Sequence, residues 1–435
     1  MSNAENTSIA SKARRALLYA PLALSILLAK ISLPPIAAIG LGLGLPLILL
    51  GTAIAILLGA FRLHVRRLSL YLLLVIWACG MQFFGKTFSV LSLCFLLAIL
   101  FPYVLVISEK RRRVEKTTGV QEAFARVGLV LAILGIVQYG AQFILGPKVA
   151  FPIEHLVPKG FLIESFNYLN AIAYGSPIFK SNGVFFLEPS FYSQFLAVVL
   201  LVELSGTLRL TRIMIVLTAM ACTFSGTGLL VLGAGLAALT LIHRRFALIG
   251  IAILAGILIL TFDETLGLTL FLERSREFST VGTSGFDRFV SWTYMLQDQF
   301  WSDDAKVWTG NGAGTFAQQA AVARYSVWES SFAKMLYEYG LPGLFLYLSF
   351  LFYCIVSSTA STAVKAGLMT CIFMNGPYSE FNAGIFLTLA LWSTSGHPAV
   401  GKGETARPSH PKKSKNADSA TLGVAWWSSR RLPRH

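Results

Sequence analysis

LRLTRIMIVLTAMACTFSGTGLLVLGAGLAALTL, running from Leu208 to Leu241, is apolar almost without interruption. A helix crosses a bilayer in ~20 mostly apolar residues, so the run is too long for one crossing. Ser225-Gly226-Thr227-Gly228 is the natural turn that divides it. Arg209 and Arg212 stand at one end of the run, and Arg244 and Arg245 follow the other. The pair reads as a helical hairpin with both basic ends on the same side of a membrane. Worked outward, the same reading places spans near 16–33, 36–59, 68–84, 88–107, 124–146, 187–206, 209–224, 226–242, 246–262, 333–357, 366–376 and 381–395. The segments 209–224 and 366–376 are the shortest, and the latter either spans or re-enters.

Basic residues cluster on the cytoplasmic side of membrane proteins. With Lys12, Arg14 and Arg15 inside, the inner connections carry Arg62/Arg66/Arg67, Lys110-Arg111-Arg112-Arg113, Arg209/Arg212, Arg244/Arg245, Lys365 and the basic tail. Most Asp and Glu fall on the intervening, outer connections. The expected fold is therefore all-α: a polytopic integral membrane protein of about 12 (10–12) transmembrane helices with large outer loops. A bacterial inner membrane with both termini cytoplasmic fits this arrangement.

Composition agrees. The 435 residues are 55% hydrophobic and only 13% charged, with mean hydropathy +0.66, too apolar for a soluble chain of this size. The net charge of +15 is dispersed over many short inner turns, so it marks orientation and gives no support for nucleic-acid binding. Lys12-Ala13-Arg14-Arg15 before Ala16–Leu28 resembles a signal peptide, but the many later spans favour a first membrane helix. The cysteines (Cys79, Cys94, Cys222, Cys354, Cys371) fall inside proposed spans, which argues against a disulfide framework. No His/Asp cluster has metal-ligand spacing, so no metal or other cofactor is expected.

The chain divides into an N-terminus (1–15), a multi-span domain (16–395) with outer loops at 147–186 and 263–332, and a polar, basic tail (396–435) that reads as disordered. Long loops on a rigid scaffold are where function concentrates. In the second loop, Phe286, Phe289, Thr293, Leu296 and Phe300 recur at helical spacing, predicting one amphipathic helix on the outer surface. Gly310-Asn311-Gly312-Ala313-Gly314 follows; without a preceding strand it is no dinucleotide fingerprint, though such a turn can aim N–H groups at an anion.

Glu203 and Glu338 interrupt the otherwise uncharged spans, each near a membrane surface. An ion-coupled transporter places ionisable groups at the midplane, so surface chemistry is favoured. Three outer constellations supply candidates. Lys180 leads to Glu188-Pro189-Ser190 at a span entrance, where the carboxylate serves either as a general base or as an interfacial partner for a cation. Asp287-Arg288 opens the loop helix, and its guanidinium is either merely solvated or a bidentate clamp for diphosphate oxygens. Arg324 and Trp328-Glu329-Ser330-Ser331 precede the next span.

These segments resemble the O-antigen polymerase and O-antigen ligase superfamily (Wzy-type), most closely its exopolysaccharide polymerases. Phe185–Ser190 (FFLEPS) is similar to that group's Glu-Pro-Ser motif, and Thr223–Gly228 (TFSGTG) to a Ser-Arg-Thr-Gly turn, with Gly226 where Arg is often found. Asp287-Arg288 through Trp292, then TGNGAGTF, resembles the family's Arg-containing helix and glycine-rich turn. Glu329-Ser330, nine residues, then Gly340–Gly343 resembles the ligase pattern, with Glu329 replacing its His. The match covers roughly 180–345; the first 150 residues agree in hydropathy alone.

The resemblance implies glycosyl transfer between undecaprenyl-diphosphate-linked saccharides on the periplasmic face. Its implied partners are that lipid-linked substrate, membrane lipid, a chain-length regulator and a flippase. Arg288 and Arg324, assisted by Lys180, would stabilise the departing diphosphate. Glu188, with Glu329 as competitor, would deprotonate the acceptor. Asp287 and Trp328 would contribute to substrate binding, and Trp292, Trp301 and Trp308 would stack on sugars or anchor at the membrane surface. A ligase, a non-enzymatic flippase or transporter, and a membrane scaffold are the competing readings. Cysteines introduced at positions 288 and 329 are expected to react with a membrane-impermeant maleimide in intact spheroplasts; reaction only after lysis would invert the topology.

Overall fold

The computed structural model describes residues 23–33, 42–57, 59, 61–85, 88–107, 117–163, 166–173, 175–206, 208–243 and 278–375. The structure is mostly helical. Its main helices are α1 (Gly44–Leu57), α2 (Val65–Met81), α3 (Val90–Leu100), α4 (Thr117–Leu145), α5 (Pro189–Ser205), α6 (Leu210–Ala221), α7 (Gly226–His243), α8 (Ser284–Phe289), α9 (Ser291–Gln299), α10 (Asp304–Thr309), α11 (Thr315–Val322), α12 (Ser331–Val356) and α13 (Thr362–Met374). An antiparallel pair, β1 (Phe61–Leu63) with β2 (Leu105–Ile107), joins the bases of α2 and α3. Two short helical turns, Pro147–Ala150 and Pro152–Leu156, lie in the first long loop.

Nine of the apolar stretches read from the sequence coincide with α1–α7, α12 and α13. The stretches at 246–262 and 381–395, and residues 16–22 of the first stretch, lie outside the described residues, as does the tail. Two described helical segments, Gln121–Leu145 and Ser331–Val356, are long and apolar enough to cross a membrane; six other apolar helices are shorter. The division of 208–241 falls at the expected turn: α6 ends at Ala221, Phe224 takes a positive φ of 45°, and α7 begins at Gly226.

Helix α5 is the hub. Every residue from Pro189 to Glu203 is buried, because α4, α6, α7 and α13 surround it. Small residues permit the close approach: a Cβ at Gly128, Gly135 or Gly228 would overlap Val199, Tyr192 or Ser193 of α5. A second group packs α12 against α2. By contrast, Leu57, Ile76, Phe83, Ile144, Leu210 and Phe345 point outward and are exposed.

Contacts sort the described helix termini onto two ends. At one end the buried Arg67 donates to the carbonyls of Tyr103 (3.2 Å) and Cys354 (3.1 Å) and to Ser357 Oγ (2.7 Å). Ser361 bonds Ser205 there (2.7 Å), Arg209 holds Glu122 (2.7 Å), and Arg212 reaches Glu203 (3.1 Å). The other end gathers the long loops. The stretches read as nearly uncharged also contain Lys30, Arg126, Arg209, Arg212 and Lys334. Each meets a carboxylate: Lys30 Glu154, Arg126 and Arg209 Glu122, Arg212 Glu203, and Lys334 both Glu329 and Glu338.

Two local features depart from expectation. The amphipathic helix predicted over 286–300 is two helices, α8 and α9, divided at Val290; Phe286, Leu296 and Phe300 are buried as expected, but Thr293 is exposed. Helix α12 is broken at Gly340, whose φ of 70° interrupts the helical ladder ahead of Pro342. The freed carbonyls do not go unpaired. Asn311 N–H donates to Tyr337 O (2.9 Å), Gly312 N–H to Glu338 O (3.0 Å) and Trp77 Nε1–H to Tyr339 O (2.9 Å). The loop sits so close that a Cβ at Gly310 would lie 2.3 Å from Glu338 O, and one at Gly340 2.4 Å from Trp308 O.

Gly340→Ala therefore meets both a left-handed backbone and a fixed carbonyl. It should lower stability by about 1–3 kcal/mol or more, read as a fall of several degrees in the melting temperature in detergent. Gly51→Ala, in α1 with nothing near the added methyl, should leave it unchanged or raise it slightly.

Candidate functional site

The site begins with a turn. Gln138 of α4 uses one carbonyl oxygen to accept from Ser181 Oγ (2.9 Å), Asn182 N–H (3.1 Å) and Val184 N–H (3.2 Å). This holds Val184 at a positive φ of 69°, a conformation costly for a β-branched residue. Lys30, fully buried, pairs with Glu154 and donates to Val184 O, and Asn182 Nδ2 also reaches Glu154 (3.0 Å). The braced segment runs directly into Glu188, which caps α5 in extended conformation with Pro189 as the first helical residue.

Glu188 is buried, and its carboxylate takes two partners: the Arg288 guanidinium and the Ser190 hydroxyl (3.1 Å). Arg288 comes from α8, 100 residues away in sequence. Its Cζ lies 4.7 Å from the centroid of the Trp328 ring, a cation–π contact. Trp328 is fixed in turn: its backbone N–H donates to Asp287 O (3.0 Å), and its ring packs edge-on to Phe166 (centroids 6.0 Å apart). Ser291 Oγ also donates to Asp287 O (2.6 Å). Thus Glu188, Asp287, Arg288 and Trp328 form one cluster.

Two buried polar atoms in that cluster have no hydrogen-bond partner among the described residues, Asp287 Oδ1 and Trp328 Nε1. An unsatisfied buried group costs about 1–3 kcal/mol. Burial raises the Asp287 carboxyl above the usual carboxylate range, against the opposing pull of a Ser326 hydrogen bond and of Arg288.

Glu329, one residue beyond Trp328, turns the other way. It pairs with Lys334 and keeps 36% side-chain exposure, while Lys334 is buried and also lies 3.0 Å from the fully buried Glu338. Glu338 Oε1 accepts from Phe316 N–H (3.2 Å). The glycine-rich turn lies beside this group. Its N–H groups at 311 and 312 bind the carbonyls of α12, and that of Ala313 binds Gln82 Oε1 (2.9 Å), so three of its donors are spent on the protein itself. Lys180 is half-buried, its N–H on Asn170 O (2.8 Å), on the segment that leads to Glu188; Arg324 is exposed and forms no ion pair among the described residues. Trp292 packs on Phe332 (5.6 Å), whereas Trp301 and Trp308 are exposed. Among the described residues no group of three or more His, Cys, Asp or Glu is placed to hold a metal ion.

The sequence reading missed Lys30, Gln138 and Lys334. Only Lys334 carried a legible signal, its four-residue spacing to Glu338 on one helix face. The chain matches no protein-family model and none of the curated proteins compared with it.

A nearly dry ion pair leaves a stranded charge when one partner is removed. Arg288→Met and Glu188→Gln should each destabilise the protein by about 3 kcal/mol, and the double variant by less than their sum. The melting temperatures of the four proteins in one detergent measure that coupling.

Proposed function

We propose that the protein is a multi-span membrane glycosyltransferase of the O-antigen polymerase and ligase type. On this reading it joins polyprenyl-diphosphate-linked oligosaccharide repeat units into a longer polysaccharide at the outer face of a bacterial inner membrane. The observation that carries the reading is the Arg288 guanidinium held between the Glu188 carboxylate and the Trp328 ring. A cation fixed before substrate arrives needs no reorganisation as negative charge grows on a departing diphosphate. Its remaining N–H donors suit phosphate oxygens. The orphaned Asp287 Oδ1 and Trp328 Nε1 beside it suit a saccharide hydroxyl, which donates to one and accepts from the other.

Glu188 and Glu329 then divide their roles. Glu188 is committed to Arg288 and Ser190 and orients the cation. Glu329 is half-exposed and next to the stacked indole, which favours it as the base that takes the acceptor hydroxyl's proton as the new glycosidic bond forms and the bond to the lipid diphosphate breaks. Outward-facing apolar side chains and two helices of spanning length support the membrane setting. Arg67, Arg209 and Arg212 make their contacts at the other end of the bundle from the cluster, and the positive-inside pattern favours that end as the cytoplasmic one.

One observation favours a second reading. Helix α12 is discontinuous and carries Lys334 and Glu338, features also found in transporters. The break falls within the first three turns, beside the loop, which favours surface chemistry. Purified protein in detergent with lipid-linked repeat units is expected to yield a ladder of lengthening chains, lost by at least 100-fold in Arg288→Ala. Transfer to a different lipid acceptor would make it a ligase, and flipping in liposomes without chain growth would make it a transporter.

A further inference from the structure

At the other end of the bundle from Arg288, one carboxylate gathers three guanidiniums. Glu122 of α4 accepts from Arg126 Nε (3.1 Å), from Arg209 Nη1 through both oxygens (2.7 and 2.9 Å) and from Arg212 Nη1 (3.2 Å). Arg212 also reaches Glu203 near the end of α5 (3.1 Å). Three positive charges therefore meet two negative ones, and the group keeps an excess of one. That excess is accessible: Arg126 is 70% exposed at the side chain and Arg209 41%. Exposed pairs of this kind add little to stability, so the fold alone does not ask for three arginines here. Beside the cluster the surface turns apolar. On α4 the exposed positions step away from Arg126 as Val130, Ile133 and Val137, a single helix face. On α6, which packs against α4, Leu210, Met214 and Leu217 step away from Arg209 in the same manner. At a rise of ~1.5 Å per residue, Arg126 to Val137 covers about 16 Å of helix. Half of a ~30 Å hydrocarbon core is about 15 Å. A cationic head thus stands over an apolar track one leaflet deep.

We propose that this surface of α4 and α6 binds an anionic phospholipid of the adjacent leaflet, its phosphate on Arg126 and Arg209 and its acyl chains along the two apolar faces. A guanidinium meets phosphate oxygens through parallel N–H groups. Arg126 gives Glu122 only its Nε and Arg209 only its Nη1, and neither guanidinium makes another hydrogen bond among the described residues. Donors on both therefore remain for a phosphate. A soluble phosphate compound would satisfy the cations and leave the apolar track unused. A zwitterionic lipid would fill the track but bring its own cation to a site already positive. This lipid site requires the membrane setting of the function proposed above and none of its chemistry.

The test uses full-length protein in detergent with phosphatidylglycerol or phosphatidylcholine of identical chains, each carrying a photoreactive diazirine in one chain. After irradiation, peptide mass spectrometry locates the adducts. Phosphatidylglycerol should label α4 around Val130, Ile133 and Val137 and α6 around Met214 and Leu217, at about tenfold lower concentration than phosphatidylcholine. Arg126→Gln combined with Arg209→Gln should erase that preference and leave phosphatidylcholine labelling unchanged. Glu122→Gln removes the competing carboxylate and should strengthen the preference by about fivefold. A merely structural role predicts the reverse, because Glu122→Gln unpairs Arg126 and Arg209. Equal labelling by the two lipids, or a preference that survives the double variant, overturns the proposal. So does displacement of the lipid by an equal concentration of soluble glycerol phosphate, which would make this a site for a free phosphate compound. Selective labelling with no chain growth from lipid-linked repeat units keeps the lipid site and rejects the polymerase. Chain growth with unselective labelling rejects the lipid site and keeps the polymerase.

Discussion

A helix broken in apolar surroundings must find partners for the carbonyls it frees, and this constraint organises the outer end of the molecule. At Gly340 the ladder of α12 stops, and Tyr337, Glu338 and Tyr339 each present a carbonyl that its own helix does not satisfy. Leaving such groups unpaired costs more than most single contacts return. The glycine-rich loop and Trp77 supply the donors. Because the fit requires two opposed glycines, Gly310 and Gly340, the loop has one way to seat. Everything between Asp287 and Trp328 is then held over α12 at two points.

The site follows from a second constraint, the braced approach to α5. Gln138 and Lys30 hold the turn at 181–184, which fixes where Glu188 emerges. Glu188 selects the position of Arg288, and Arg288 lies on Trp328. Elements from the first loop, the second loop and the start of α12 meet at one guanidinium. Polar groups that would be costly singly are tolerable together because nearly every one has a partner; the unsatisfied atoms of Asp287 and Trp328 are exceptions at the point where a ligand would act.

Much of the fold was legible in the sequence because apolar runs of this length have few alternatives to helix. Ser225–Gly228 marked its turn by composition, and the division of α6 from α7 falls there. Charge placement predicted which termini would share an end, and the contacts of Arg67, Arg209 and Arg212 agree. Of the candidate residues, Glu188, Asp287, Arg288 and Trp328 do converge, but no local pattern could reveal that Glu188 spends its charge on Arg288 across 100 residues. Lys334 was overlooked for a different reason, although its spacing to Glu338 was legible. It stands four residues from Glu338 inside an apolar run, where hydropathy averaging conceals a neutral pair. The split at Val290 escaped notice because periodicity reports which face is apolar, not whether the axis is continuous.

The seating of Gly310–Ala313 into α12 has a consequence for how the second loop moves and varies. A flap tied at one edge swings; this one is tied near both edges and pinned between them by the buried Met295, Leu296 and Phe300. Bulky additions would therefore be absorbed without disturbing Arg288 or Glu338 only along its exposed stretches, Gln297–Gln299 and Trp301–Ala305. An epitope or fluorophore grafted near Asp303 would ride on the molecule as a passenger.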